Sequence, residues 1–428
     1  MTVPSAAQVS VVLPYYDDPR LLDLVLTGLE LQTLPVERFE VVIADDGSPT
    51  PPDPGTRPYP VRVVVQGDQG FRAAAARNLG AAASSGDVLC FLDADTVPEP
   101  GYLAAVLAGL SAPLALVVGR RRHAELREVG PDALRGWLRG DGAAPREFEE
   151  PGWLSAAYAR TEDLRSAGDD AYRFVISAVL SVTRELFERV GGFEEAFTAY
   201  GGEDWEFAHR CWLAGAEFAH VRDAVAWHDG PEFAGREAAE ARRSSQNTEG
   251  LTLARFVTDP AARGGGLIWR QPDIVVRLDD VGADVADVVR SLTSLLQGSD
   301  AGVWLRDGAA AEHLQDPRVH VGEPPPEVVR RCRFQAEAGA PVLLEGATLR
   351  DLTDVAPVRV GEFLQVRRTR DVNRGVEVLG TVTGVLARRV RGVNLQREWG
   401  HDEHVRVPRL QRSLRTPFVV SSTPSSPP

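Results

Sequence analysis

Three short apolar runs, each ending abruptly in acid or in Pro-Tyr-Tyr-Asp, constrain the fold of this chain more than any other feature. Val9–Leu13 runs into Pro14-Tyr15-Tyr16-Asp17, Glu40–Ala44 into Asp45-Asp46-Gly47, and Val88–Leu92 into Asp93-Ala94-Asp95. Runs of this length and composition suit strands buried on both faces. Between them Leu21–Leu34 and the alanine-rich Arg72–Ala83 have helical spacing, and Val61–Val65 adds another strand. Strand–helix alternation predicts a mostly parallel, doubly wound α/β sheet with right-handed crossovers, in which ligands bind at the carboxyl ends of the strands. The acids gather at those ends.

Composition narrows the function. The 428 residues carry 47 basic and 61 acidic side chains, a net charge of −14, and every basic residue is arginine. An acidic chain is a poor partner for nucleic acid, and the lack of lysine excludes a P-loop lysine or a Schiff base. Cys90, Cys211 and Cys332 have no metal-binding or disulfide-framework spacing. The N-terminus lacks the basic region of a signal peptide, and no apolar stretch is long enough to span a membrane, so a cytoplasmic protein is expected. The arginine, alanine, glycine and proline bias suggests a GC-rich, bacterial genome.

Asp93 and Asp95, two residues apart at a strand end, suit Mg²⁺ or Mn²⁺ bridging a diphosphate, because hard oxygen ligands leave coordination positions for phosphate oxygens. Downstream, Gly201-Gly202-Glu203-Asp204-Trp205 opens a helix reaching about Leu213, and Ala224–His228 reads as a strand. The segment 113–170 holds Arg120-Arg121-Arg122, read as a solvated helix end or a contact for an anionic acceptor, and the acids Glu147, Glu149 and Glu150. It is expected to vary over the site.

VVLPYYDDP, EVVIADDGS, AAARNLGAA, GDVLCFLDADTVPEPGYL, VGGFEEAF and GGEDWEFAHR occur in the order and spacing of family 2 glycosyltransferases. Over roughly residues 8–235 the chain resembles that family, whose fold is GT-A, and Gly191–Arg210 resembles the C-terminal half of animal galactosyl- and N-acetylgalactosaminyltransferases and chondroitin polymerases. The resemblance implies that Pro14, Tyr16 and Asp46 hold the nucleoside of a nucleotide-sugar, with Asp46 accepting from uracil N3–H of a UDP-sugar. It implies that Arg77 contacts the diphosphate or base and that Asp93 faces the ribose. Asp95 and His228 would be metal ligands. Asp204 would be the general base of an inverting transfer to a carbohydrate or other hydroxyl acceptor, with Glu203 orienting the acceptor or tuning the base. Asp17 departs from the asparagine common in the family. A retaining mechanism, nucleotidyl transfer, and a non-catalytic partner of another glycosyltransferase are the alternatives.

The remaining organisation is read as a nucleotide-binding half over 8–112 and an acceptor half over 113–235. A helical linker over 236–270, a degenerate GT-A-like repeat over 271–411 and a disordered tail over 412–428 follow. Ile274–Leu278, Val285–Leu296 and Ala301–Gly308 retrace the opening strand, helix and strand. Leu343–Thr348 is read as the mirror of Phe91–Thr96, with Ala347 at the place of Asp95 and Arg306 at that of Asp45. Such a copy would keep the fold, lose the metal site, and serve in dimerisation, acceptor holding or buttressing.

Overall fold

The computed structural model describes residues 8–199, 201–231, 239–377, 379–382 and 384–399. The tail expected over 412–428 lies outside them. Among the described residues no helix is long and apolar enough to cross a membrane.

The first unit runs β1 (Val9–Tyr15), α1 (Pro19–Glu30), β2 (Phe39–Asp45), β3 (Val61–Val65), α2 (Ala73–Ala82), β4 (Val88–Leu92), β5 (Thr96–Pro98) and α3 (Tyr102–Gly109). It continues with β6 (Ala115–Ala124), α4 (Pro131–Arg139), β7 (Glu147–Phe148), α5 (Gly152–Arg160), β8 (Val179–Thr183), α6 (Arg184–Val190), α7 (Glu203–Leu213), β9 (Glu217–Asp229) and α8 (Ala239–Phe256). Its nine-stranded sheet has the order β3-β2-β1-β4-β8-β6-β9-β5, with β7 on β6. β3, β2, β1 and β4 are parallel, and β8 turns antiparallel between β4 and β6. The inner parallel strands β2, β1 and β4 are apolar and buried, β4 along its whole length, whereas the edge strand β3 is half-exposed.

Asp18 caps α1 by accepting from the Leu21 backbone N–H, with Pro19 in the first turn where no donor is needed. Asp17 sits at φ 47°, a left-handed conformation that Asp and Asn tolerate best. The backbone there is therefore met by either residue, which accounts for the departure at this position.

The second unit runs β10 (Ile274–Leu278), α9 (Val285–Leu296), β11 (Ala301–Leu305), β12 (Val319–Val321), α10 (Pro326–Arg331), β13 (Phe334–Ala338) and β14 (Val342–Glu345). Then come α11 (Leu349–Thr353), β15 (Val358–Val360), β16 (Leu364–Arg368), α12 (Thr369–Asn373), β17 (Gly380–Thr381) and β18 (Leu386–Arg389). Its main sheet, β12-β11-β10-β13-β16-β15-β17, opens with the order of the first: four parallel strands, then an antiparallel one.

Register corrects one detail of the sequence alignment. Gly47 and Gly308 both adopt φ 85° just past the second strand, which places Asp46 on Asp307 and Ala44 on Leu305. Pro14 pairs with Ala44, and Leu278 pairs with both Leu305 and Ala338. Val12 pairs with Phe91, so Pro14 is level with Asp93. The counterpart of Asp93-Ala94-Asp95 is therefore Ala338-Gly339-Ala340, not Glu345-Gly346-Ala347. Val342–Glu345 instead pairs with β18 in a separate two-stranded sheet. The true counterpart of β4, FQAEA, alternates buried and exposed residues, and that pattern hides its kinship with the uniformly buried VLCFL.

The segment expected as a linker is also reassigned: Leu253, Ala254 and Val257 are buried, two of them in the first unit's core, because α8 packs against that unit. Arg120-Arg121-Arg122 lies on β6, not at a helix end. The strand read at Ala224–His228 is the end of the longer β9.

Helix α2 is held close to the sheet at Gly80, where a Cβ would lie 2.4 Å from a Val12 methyl and 3.3 Å from the Ala44 Cβ. Val12 is fully buried and has no room to yield. We expect Gly80→Ala to lower stability by about 1–2 kcal/mol despite alanine's helix propensity, read as a shift of the urea midpoint. Unchanged or greater stability would refute this packing.

Candidate functional site

The carboxyl ends of β1, β2 and β4 open into a cleft of about 710 Å³. Its walls include Pro14, Tyr16, Asp46, Arg77, Asp93, Asp95, Glu203 and Asp204, all but one of the residues singled out from the sequence. The exception, His228 on β9, stands behind Asp95, its Nε2 3.3 Å from Asp95 Oδ2. Thr96 at the start of β5 pairs with His228, which brings the two donors together.

Tyr16 is exposed at the mouth, and Pro14 is half-buried beneath it. Asp46 is buried, its Oδ1 accepting from Gln66 Nε2 at 2.5 Å and its Oδ2 from the Arg72 backbone N–H at 2.8 Å. Neighbouring Asp45 is turned away to bind Ser48. Arg77 has protein partners that the sequence did not indicate. It is buried at 3% exposure and donates to Asp93 Oδ1 at 2.8 Å and Glu203 Oε1 at 3.0 Å. Its charge is matched by protein carboxylates, so it ties β4 to α7 at the cleft floor. Glu203 is buried with that tie, and its Oε2 has no hydrogen-bond partner among the described residues.

Asp204 is presented by two glycines. Gly201 and Gly202 adopt φ 97° and 90°, which an L side chain rarely enters, and a Cβ on Gly201 would lie 2.8–2.9 Å from the Glu249 carboxylate. This turn starts α7 with acids in its first turn, where the helix dipole favours negative charge. Burial in the cleft wall, reinforced by the Glu203 and Glu249 carboxylates, pushes the Asp204 carboxyl up to about 7 against the opposing pull of Arg77. Burial and Glu203 likewise raise Glu249.

The metal expectation can be tested against the donors present. Among the described residues no cluster of three or more His, Cys, Asp or Glu could hold a metal alone. Two donor atoms 3.3 Å apart match neighbouring corners of an octahedron, which lie ~3 Å apart for Mg²⁺–oxygen bonds. Asp95 keeps 37% of its side chain accessible, leaving room for phosphate oxygens to complete the shell. The pair fits a cation shared with a diphosphate.

Sequence reasoning missed Phe71, Trp153, Arg127 and Glu249, which also line the cleft. Phe71 and Trp153 are large apolar side chains left 45% and 52% exposed, a signal visible only once the fold is known. Glu249 lies on a polar helix with no sequence mark of its position.

Residues 10–145 match the model of glycosyl transferase family 2, and residues 166–226 match the model described as the N-terminal domain of galactosyltransferase. Validoxylamine A glucosyltransferase of Streptomyces hygroscopicus subsp. jinggangensis is 33% identical over 290 residues, covering 61% of this chain and 63% of the relative. Hyaluronan synthase of Pasteurella multocida is 28% identical over 260 residues, covering 56% of this chain and 26% of the relative. The chain thus spans less than two thirds of the length of these curated relatives. A solved mannosyltransferase from Pyrobaculum calidifontis, in complex with GDP-Man and Mn²⁺, overlaps 61% of this chain and 69% of its own at 19% identity, with a TM-score of 0.39, too loose to carry a functional comparison. The first unit has the mixed α/β GT-A fold expected of it: its residues 10–145 match glycosyl transferase family 2, and residues 166–226 extend the similarity with the galactosyltransferase match.

Proposed function

We propose that the chain is a metal-dependent, inverting glycosyltransferase that moves a sugar from a nucleotide-sugar, a UDP-sugar in the first instance, to a hydroxyl acceptor. The observation that carries this reading is that Asp95 and Asp204 share one cleft, one near the end of β4 and the other at the start of α7. The nucleoside lies against Pro14, Tyr16 and Asp46, where Asp46 can accept an N–H from the base edge through a lone pair not used by Gln66 or Arg72. Asp95 and His228 would hold Mn²⁺ or Mg²⁺, which when bound neutralises charge on the departing diphosphate. Asp204 takes the proton of the acceptor hydroxyl as its oxygen bonds to the anomeric carbon and the bond to the diphosphate breaks. Glu203 acts through its effect on Asp204 and its tie to Arg77.

The protonation state follows from the raised carboxyl. With a pKa of about 7, Asp204 is mostly protonated at pH 6 and mostly ionised at pH 8, so the base is available on the alkaline side. We expect kcat/KM for UDP release to fall about tenfold per pH unit below that value. Asp204→Asn should cut transfer by about 10²–10⁴-fold with UDP affinity unchanged by calorimetry. Turnover equal to wild type would remove Asp204 from the mechanism.

The same shift predicts stability. A carboxyl whose folded pKa lies above its unfolded value near 3.8 contributes stability below that value and loses it as pH rises through about 7. Asp204→Asn should therefore raise the melting temperature at pH 8 and leave it unchanged at pH 3.5. An equal effect at both pH values would contradict the assigned burial.

Asp95→Ala should weaken Mn²⁺-dependent UDP binding by about tenfold or more while sparing metal-free UDP binding. Equal Mn²⁺ enhancement in both proteins would dissociate Asp95 from the metal.

A further inference from the structure

Glu249 is brought to the cleft wall by the docking of α8. It stands four residues before Leu253 and seven before Phe256, so helical spacing puts all three on one face. Leu253 is buried in the first unit's core, and Phe256 packs against that core with its ring centre 5.6 Å from that of Phe197. The Glu249 carboxylate lies over the turn that presents Asp204. A Cβ on Gly201 would come within 2.8–2.9 Å of its carbon and both oxygens, and a Cβ on Gly202 within 3.5 Å of its Cγ. The carboxylate thus fills the space that the two glycines leave.

This placement serves no structural purpose among the described residues. The carboxylate accepts no hydrogen bond and forms no ion pair there, and no side chain caps α7 at Gly202. Its electrostatic neighbours on the wall are the acids Glu203 and Asp204. Arg77, the cation of that wall, is already matched by Asp93 and Glu203. Half-burying a further carboxylate beside like charges costs stability unless a donor meets it.

The carboxylate is also within reach of a ligand. Glu249 is half-buried and lines the cleft, and neither of its oxygens is closed off as Glu203 Oε2 is. An ionised carboxylate only accepts, so whatever completes it must bring a donor. Beside a base that deprotonates a hydroxyl, the donor at hand is another hydroxyl of the same molecule. A lone alcohol would occupy Asp204 and leave Glu249 unmatched, and sites built to bind a hydroxyl discriminate strongly against ligands that lack it. Residue 249 lies outside both family matches, which end at 145 and 226, so this contact belongs to the part of the chain free to choose an acceptor.

We propose that Glu249 is a specificity-determining residue whose carboxylate accepts a hydrogen bond from a second hydroxyl of the acceptor, next to the one that reacts. The acceptor is then a ring with neighbouring free hydroxyls, a sugar or a cyclitol, and not the single alcohol of a lipid or of a Ser or Thr side chain. This rests on the glycosyl-transfer reading, and its test needs no turnover.

The test is saturation-transfer NMR on the full chain loaded with UDP and Mn²⁺. The probes are methyl glycosides of glucose, galactose and N-acetylglucosamine, and myo-inositol, each beside its monodeoxy analogues. At least one ring should bind, and deleting either of two neighbouring hydroxyls should weaken it about tenfold. Glu249→Ala should abolish one of those two penalties and leave the other, which belongs to Asp204. Glu249→Asp keeps the charge but draws the carboxylate back by one methylene, and should lose the same penalty, which separates contact from any effect of charge on Asp204. Because the side chain has no protein partner to lose, Glu249→Ala should not lower the melting temperature at pH 8. No ring bound by the UDP-loaded protein, both penalties surviving in Glu249→Ala, or a melting temperature lowered by several degrees overturns the assignment. Failure of the glycosyl-transfer reading shows separately, as absence of UDP binding and of UDP-sugar turnover in the wild type.

Discussion

The cleft depends on one buried guanidinium. Arg77 joins Asp93, at the end of β4, to Glu203, at the start of α7, and so brings together positions 16 and 126 residues away along the chain. Such a pair contributes little net stability compared with a well-packed apolar contact, but losing one partner strands a buried charge. Geometry is what it supplies. Gly80, one turn along α2 from Arg77, sets the helix height above β1, and that height fixes where the guanidinium reaches. The charge balance at Asp204 follows from the same arrangement: Arg77 pulls its carboxyl down, while burial, Glu203 and Glu249 raise it by more. A carboxylate poised near neutrality is the resultant of burial and of three charged groups, one each from α2, α7 and α8.

Much of this was legible in the sequence because strand ends are. A parallel strand buried on both faces must be apolar, so its last residue is marked by the first acid or proline, and a parallel sheet puts those marks on one edge. Pro14, Asp46, Asp93 and Asp95 were found that way. Glu203 and Asp204 were readable only through the family resemblance, since two acids opening a helix are equally explained by the helix dipole. Glu249 and Trp153 were not readable, since their importance comes from where helices dock and local sequence carries no trace of docking. Arg77 is legible as a cleft residue, but its protein partners are not. A sequence shows that a charge exists, whereas only packing shows that Asp93 and Glu203 already neutralise it.

The second unit shows the same limit from the other direction. Its sheet repeats the strand order of the first, yet alternating burial in β13 concealed the match, and a more apolar neighbour took its place in the alignment. Once register is used, alanines stand at both positions held by acids in the first unit, Ala338 for Asp93 and Ala340 for Asp95. The loss is complete and local, because the apolar residues that pack the sheet remain.

What the second unit brings to the first is arginine. Helix α7 presents acids at its amino end and must leave carbonyls without helical partners at its carboxyl end. Arg370 donates to the Trp212 and Ala216 carbonyls at 2.7 and 2.9 Å, and Asn373 donates to the Leu213 carbonyl at 2.8 Å. The Arg370 guanidinium also lies 3.5 Å from the centre of the Trp212 ring. Burial and neighbouring Arg374 lower its pKa to about 10, which still leaves it cationic at neutral pH, the sign that the carboxyl end of a helix dipole favours. Further along, Arg331 binds both Glu206 and Glu194. Removing these donors would leave the end of α7 buried against nothing that satisfies it, and the helix that carries Asp204 would lose the anchor opposite its acids. The copy that carries alanines where the first has Asp93 and Asp95 thus helps hold in place the acids of the copy that keeps them.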